Sequence, residues 1–285
     1  MLIGLKEALD YAERNRCALA AVNTPFFESL LAVIDVGEKM NIPIVLQCAQ
    51  VHESLVSIEK IGPAMVELAK RSSAPFVVHI DHGADIDYIR TGLDIGFNSC
   101  MIDASAHDYQ TNIAMTSEVV EMAHRRGVDV EAELGVMTGN ENGDPSQGVA
   151  DESLYTDVEM AARFVKETHV DCLAASFGTV HGLYRREPKL NYQLIFDLRE
   201  ATQVPIVMHG GSGLSDDQYR RCIAHGVRKI NYYTYAAKAA YEAVLPLVDD
   251  PSVILFPNLA RAAQEAVYSD VSSFVTTVST CGEEE

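Results

Sequence analysis

The segment His79-Ile80-Asp81-His82-Gly83 gathers two imidazoles and a carboxylate where an apolar run, Phe76-Val77-Val78, gives way to the helical pattern of Ile86, Ile89 and Leu93. Such groups are costly beside an apolar run unless they bind each other or a ligand. Strand alternation puts His79, Asp81 and Gly83 on one face and His82 on the other, unless the chain bends at the glycine. Two more histidines share this setting, His181 within Gly178-Thr179-Val180-His181-Gly182 and His209 within His209-Gly210-Gly211-Ser212-Gly213. Any one of them fits a hydrogen-bonded loop histidine. Three at separate strand ends, each followed by glycine, fit the neutral imidazole ligands of a catalytic zinc that keeps a position open. Glu133, closing another strand, completes the set as a fourth or alternating ligand. Asp81, adjacent to a ligand yet on the opposite pleat, is placed to serve as a base. His124, His169 and His225 fall at helix C-termini, where partial positive charge is favoured. His52 and His107 fall in loops.

A second group of residues is rich in glycine. Gly210-Gly211-Ser212-Gly213 precedes a helix starting near Ser215-Asp216-Asp217, and Gly182 precedes Tyr184-Arg185. Backbone N–H groups of such a loop, with the Ser212 hydroxyl, suit a phosphate. Arg185 adds a charged fork. A plain tight turn is the alternative; the neighbouring ligand set and the arginine favour the cradle.

The elements that must position these residues follow a repeating punctuation. Proline after a helix announces Ile42–Leu46, Ala74–Val78 and Val204–Met208, and a helix-ending glycine precedes Ser99–Ile102, Val128–Glu133 and Lys229–Tyr232. With Ala18–Asn23 and Cys172–Ser176, eight strands are predicted. Helical patterns lie between them: Glu28–Met40, Ile61–Arg71, Ile86–Leu93, Asn112–Arg126, Val158–Thr168, Tyr192–Thr202, Asp216–His225 and Ala236–Val248. Alternation of this kind implies parallel strands joined by crossovers. The fold class is α/β, a single (β/α)8 TIM barrel over residues 1–285, with an extra N-terminal helix (Leu5, Ala8, Leu9, Ala12) and a C-terminal one around Ala260–Tyr268. An open doubly wound sheet is the competing architecture, but no Gly-x-Gly-x-x-Gly turn follows the first strand. The polar, glycine-rich stretch 136–151 follows the fifth strand and is expected to be an active-site lid.

Composition narrows the classes. A net charge of −19 excludes a basic nucleic-acid-binding face. No apolar run approaches a membrane span, and the N-terminus lacks the basic start of a signal peptide. Six cysteines without C-x-x-C spacing suggest reduced thiols and a cytoplasmic protein.

Taken in order, His-x-Asp-His-Gly, Met-Ile-Asp-x-Ser, Glu-x-Glu-Leu-Gly, Gly-Thr-x-His-Gly-x-Tyr, His-Gly-Gly-Ser-Gly and Lys-Ile-Asn resemble the class II, zinc-dependent aldolases of fructose- and tagatose-bisphosphate type, from about Leu5 to Ala240. The resemblance implies one catalytic Zn2+ on His82, His181 and His209, with Glu133 able to join it, and a monovalent cation near the phosphate loop. It implies Asp81 as catalytic acid/base and Glu141, within 136–151, as a second acid/base carboxylate. Gly182, Arg185, Gly210, Gly211, Ser212, Asn231 and Thr234 match the phosphate cradle, Asn231 also counting among the catalytic groups. Asn23 matches a polar residue near the nucleophilic carbon. The implied reaction is reversible cleavage of a ketose 1-phosphate or ketose 1,6-bisphosphate to dihydroxyacetone phosphate and an aldehyde, by a homodimer or homotetramer. Two departures bear on the substrate. Tyr233 stands where the family often has aspartate, and Ala49 where bisphosphate-acting members often have serine, which points to a ketose with an unphosphorylated far end. The alternatives are a metal-dependent barrel hydrolase and a weakly active, metal-binding accessory subunit of a sugar-phosphate aldolase.

Overall fold

Eight parallel strands close into a barrel in sequence order, each hydrogen-bonded to the next and β8 returning to β1. The computed structural model describes residues 1–135, 154–184 and 186–280. The stretch 136–151 read as a lid, with Glu141, and also Arg185, lie outside the described residues. The strands are β1 (Leu19–Asn23), β2 (Ile44–Ala49), β3 (Phe76–Gly83), β4 (Ser99–Ile102), β5 (Asp129–Leu134), β6 (Cys172–Ala175), β7 (Ile206–Met208) and β8 (Val227–Tyr232). The helices between them are α2 (Phe27–Met40), α3 (Ile58–Arg71), α4 (Ile86–Ile95), α5 (Tyr109–His124), α6 (Val158–Thr168), α7 (Tyr192–Thr202) and α8 (Asp216–Ala224). Before the barrel comes α1 (Leu5–Arg14), and after it α9 (Thr234–Val248) and α10 (Phe256–Ser279).

The two-residue period of the strands sorts side chains into two populations. Phe76, Val78 and Ile80 of β3, Val130 and Ala132 of β5, and Ile206 and Met208 of β7 face the helices and belong to the larger apolar cluster. Val45, Val77, Met101, Cys172, Ala174 and Val207 face inward and form a second cluster with Leu5, Ala8, Leu9 and Ala12 of α1. The N-terminal helix thus plugs the amino end of the barrel with a stripe at i, i+3, i+4 and i+7. Toward the carboxyl end the same inward rows turn polar.

Helix starts follow local chemistry. Ser57, Asp85, Asp108, Asp157, Asn191 and Ser215 each accept a hydrogen bond from a backbone N–H of the first turn. His225 ends α8, its Nδ1–H donating to the Arg221 carbonyl at 2.6 Å, and His124 at the end of α5 pairs with Asp171 at 2.9 Å. The C-terminal helix is far longer than the expected Ala260–Tyr268. Val267, Val271, Phe274, Val275 and Val278 carry its buried stripe onward to Ser279, and Pro257 suits its first turn.

Candidate active site

The chemistry-bearing segment 79–83 does not follow a strand; it is the end of β3 itself. The bend comes one residue earlier than the glycine, at His82, whose φ is 45°. Between Ile80 and Gly83 the chain spends three residues against only two of β4, from Cys100 to Ile102. This bulge re-aims one side chain. Asp81 keeps the inward face of Val77 and His79, and His82, expected on the opposite pleat, is swung to the same side. Gly83 is required because a Cβ there would press against the Met101 carbonyl oxygen and Ile89.

His82, His181 and His209 converge. Each offers a ring nitrogen, and these ligand atoms lie within 4.8 Å of one another. His82 Nδ1–H donates to Asp103 Oδ2 at 2.8 Å, and His209 Nε2–H donates to Glu131 Oε1 at 2.7 Å. Those outer bonds leave His82 Nε2 and His209 Nδ1 facing each other at 2.8 Å. His181 Nε2 is buried and has no hydrogen-bond partner. An unsatisfied buried nitrogen and two rings held by carboxylates on their far side are what a bound cation needs. The donor set therefore fits a zinc ion. Glu133 joins at the margin: its buried Oε2 has no hydrogen-bond partner, lies 4.0 Å from His209 Nδ1, and with His82 and Asp103 forms a second cluster able to ligate.

Electrostatics divide the group by role. Burial opposes charge on His82, but Asp81 and the bond to Asp103 outweigh it and hold this imidazole well above its ordinary pKa. Burial and the neighbouring His82 push His181 well below the ordinary value, and His209 below it too. Burial and nearby Asp103 drive the Glu133 carboxyl well up. Asp81 behaves oppositely: burial raises it, yet His82, His209 and Lys229 together hold it below the usual carboxylate range. Its carboxylate accepts from Asn23 Nδ2 at 2.8 Å and from Asn231 Nδ2 at 2.9 Å. An ionised carboxylate held by two neutral amides beside three imidazoles can accept and return a proton.

The glycine-rich loop lies at the ends of β7 and β8. Gly210 has φ of 63°, and a Cβ there would collide with the Val180 carbonyl oxygen, so the loops after β6 and β7 touch backbone to backbone. Tyr184 OH donates to the Gly210 carbonyl at 2.7 Å and tightens that contact. Gly182 also adopts a positive φ, 88°. Ser212 Oγ accepts from the Tyr233 N–H at 3.0 Å, fixing the loop to the start of α9, where Thr234 is the first helical residue. Gly210, Gly211, Ser212, Gly182 and Thr234 thus gather at the mouth around a helix N-terminus. Among the described residues nothing marks a monovalent-cation site there.

Four residues of the site stand in the sequence without an assigned role, three of them within the quoted motifs. Glu131 and Lys229 pair at 2.9 Å, both fully buried, and each lies two residues before a recognised position (Glu133 and Asn231) on the same strand face. That spacing was a usable signal. Asp103, at the end of β4, holds His82. His52, expected in a loop, lies buried in the short turn Gln50–Ser54 with its ring centroid 4.4 Å from that of Tyr233. Burial pushes its pKa down to about 4, so it is neutral. Nothing in the local sequence announces that pairing, which joins loops after β2 and β8.

Comparison with known proteins agrees with this architecture. The family model described as "Fructose-bisphosphate aldolase class-II" matches residues 3–282. A fructose-bisphosphate aldolase of Geobacillus stearothermophilus is 36% identical over 274 residues, 95% of this chain and 94% of the relative. The protein YdjI of Escherichia coli K12 is 35% identical over 278 residues, 96% of this chain and 98% of the relative. The crystal structure of that YdjI aldolase superposes with a TM-score of 0.88 at 33% identity, covering 100% of both chains.

Proposed function

The chain belongs to the class II fructose-bisphosphate aldolase family, and from that premise we propose that it is a zinc-dependent aldolase. It reversibly splits a ketose 1-phosphate, or a ketose 1,6-bisphosphate, into dihydroxyacetone phosphate and an aldehyde. The observation that carries this reading is the convergence of His82, His181 and His209 beside a carboxylate, Asp81, that is itself held by two asparagines.

We assign His82, His181 and His209 as the residues that hold the ion, with Glu133 as an additional or alternating ligand. When bound, the ion supplies a Lewis acid for negative charge developing at the ketone oxygen, so no Schiff-base lysine is needed. Asp81 takes the proton from the C4 hydroxyl in cleavage and returns it in condensation. Asn231 and Asn23 keep that carboxylate aimed and ionised. Glu141 is assigned the C3 proton from family similarity alone. The phosphate is held by backbone N–H groups of Gly210, Gly211 and Gly182, by the Ser212 hydroxyl and by the N-terminus of α9 at Thr234, with Arg185 adding charge. Anchoring one end of the substrate fixes the reacting carbons against Asp81.

The neutral His52–Tyr233 pair and the methyl of Ala49, register partner of Asp81, favour a ketose whose far end is unphosphorylated. We also propose a cytoplasmic homodimer or homotetramer; Tyr241, Leu245 and Val248, at i, i+4 and i+7 of α9, are exposed together with Ile254, Leu255 and Phe256. Among the described residues no helix is long and apolar enough to cross a membrane.

The deciding experiment is cleavage of a panel of ketose 1-phosphates and 1,6-bisphosphates, read by coupled detection of dihydroxyacetone phosphate before and after chelation. Turnover should disappear on chelation, return with zinc, and favour monophosphates. Activity that survives complete chelation, or hydrolysis without carbon–carbon cleavage, would refute the reading. The second outcome would restore the hydrolase alternative, and zinc binding without turnover the accessory subunit; neither is favoured by the aldolase relatives.

A further inference from the structure

Lys229 is fully buried inside the barrel, and no step above uses it. Its Nζ lies 2.7 Å from Asn231 Oδ1 and 2.9 Å from Glu131 Oε2. An ammonium donates and never accepts. The Asn231 atom that faces it is therefore the amide oxygen, which turns the NH2 group toward Asp81 Oδ1 at 2.9 Å. On its other side, Glu131 receives Lys229 at one oxygen and His209 Nε2–H at the other, 2.7 Å away. A carboxylate acceptor there keeps the ring proton on Nε2 and leaves the Nδ1 lone pair for the ligand position. Asn231 Nδ2 also approaches His209 Nε2 to 3.2 Å, but both then carry hydrogens, so this is a packing contact. A buried carboxylate bonded to a neutral imidazole alone would lack a compensating charge, and Lys229 supplies it.

We propose that Lys229 is a positioning residue that sets two orientations at once: the His209 tautomer, through Glu131, and the Asn231 amide, toward Asp81. Where turnover is concerned the inference rests on the aldolase reading; zinc binding and ring tautomer report on it independently. An ion pair that merely filled the barrel would require neither orientation.

The test uses the full chain and zinc alone as the probe. In Lys229→Met, zinc affinity by chelator competition should fall about 10- to 100-fold, the usual scale for losing support behind a metal ligand. Left as an uncompensated buried charge, Glu131 should turn away from His209, and histidine ring nitrogen spectra of the metal-free protein should show His209 no longer fixed as the Nε2–H form. In the charge-balanced variant Lys229→Met/Glu131→Gln, the glutamine oxygen still accepts from His209, so zinc affinity should stay close to the parent's. Asn231 has still lost its donor there, so kcat should remain low while KM changes little. This second variant also guards against misfolding of the first. Parental zinc affinity with a parental histidine spectrum in Lys229→Met overturns the first link, and parental kcat in the double variant overturns the second. A parent chain that cleaves no ketose phosphate sinks the aldolase reading, while the zinc titration and the spectra still decide the role of Lys229.

Discussion

The two ends of this barrel are built from the same eight strands and the same two-residue period, yet they are chemically opposite. At the amino end the inward side chains are Val45, Val77, Met101, Cys172, Ala174 and Val207, sealed by Leu5 and Leu9 of α1. Two or four residues further along, the inward positions become Gln47, His79 and Asp81, then Glu131 and Glu133, His209, and Lys229 and Asn231, all buried. The first layer excludes water and needs no partners. The second is nearly as buried, and its charged groups are held by partners such as Glu131 for Lys229 and the two asparagines for Asp81. Some of its buried polar atoms lack a hydrogen-bond partner: His181 Nε2 and Glu133 Oε2 lie where the ion is proposed, whereas both side-chain polar atoms of Gln47 and His79 Nε2 belong to neither ligand cluster. Stability and chemistry are thus stacked along one axis, and substitutions at the two ends should separate cleanly.

The largest effect is expected at the polar end. Replacing Asp81 by Asn keeps the shape and removes the proton acceptor, so kcat for aldol cleavage should fall roughly 10²–10⁴-fold. The melting temperature should fall somewhat, because the new NH2 group faces one of the two asparagine donors and His82 loses the carboxylate that favours its charge. A variant that kept its activity would show that Asp81 is structural and erase the contrast. At the apolar end the balance reverses, with stability lost and turnover spared. Leu9→Ala opens space beneath the barrel and should cost about 2–5 kcal/mol in denaturant titrations. Turnover per folded molecule should match the parent; a matching loss of kcat would mean that the plug shapes the site from a distance.

The smallest effect concerns His52, at the rim of the polar end. Burial depresses its pKa from 6.5 to about 4. The unfolded chain therefore binds the extra proton first as pH falls, so stability should drop between pH 6.5 and about 4, by on the order of 1–3 kcal/mol. Unfolding curves of His52→Gln should lack that portion of the acid limb. An unchanged slope would assign the loss to other buried groups.

Much of this was legible in the chain. The strand over Ser99–Ile102 and the helices Val158–Thr168 and Tyr192–Thr202 match their expected ranges residue for residue, because apolar periodicity and capping coincide there. The strands at the mouth extend past their apolar runs. Ile42–Leu46 proves to be Ile44–Ala49, and Ala74–Val78 runs on from Phe76 to Gly83. Strand propensity falls off at glutamine, histidine and aspartate, whereas hydrogen bonding to both neighbours carries the backbone through them. Glu131 and Lys229 fall inside expected strands and motifs, yet alone each is a charged residue in a strand, and only their pairing across the barrel makes them interior.

The sequence by itself determined the alternation of strands and helices, the amphipathic N-terminal plug and the three histidines at carboxyl strand ends, since these depend on period and residue type along short stretches. Only the tertiary structure decided that β3 bulges so that Asp81 and His82 share a pocket, that Lys229 answers Glu131, and that His52 lies against Tyr233. Each of these joins residues far apart in the chain or depends on register with a neighbouring strand. Barrel closure sets such distances, and no local preference encodes them.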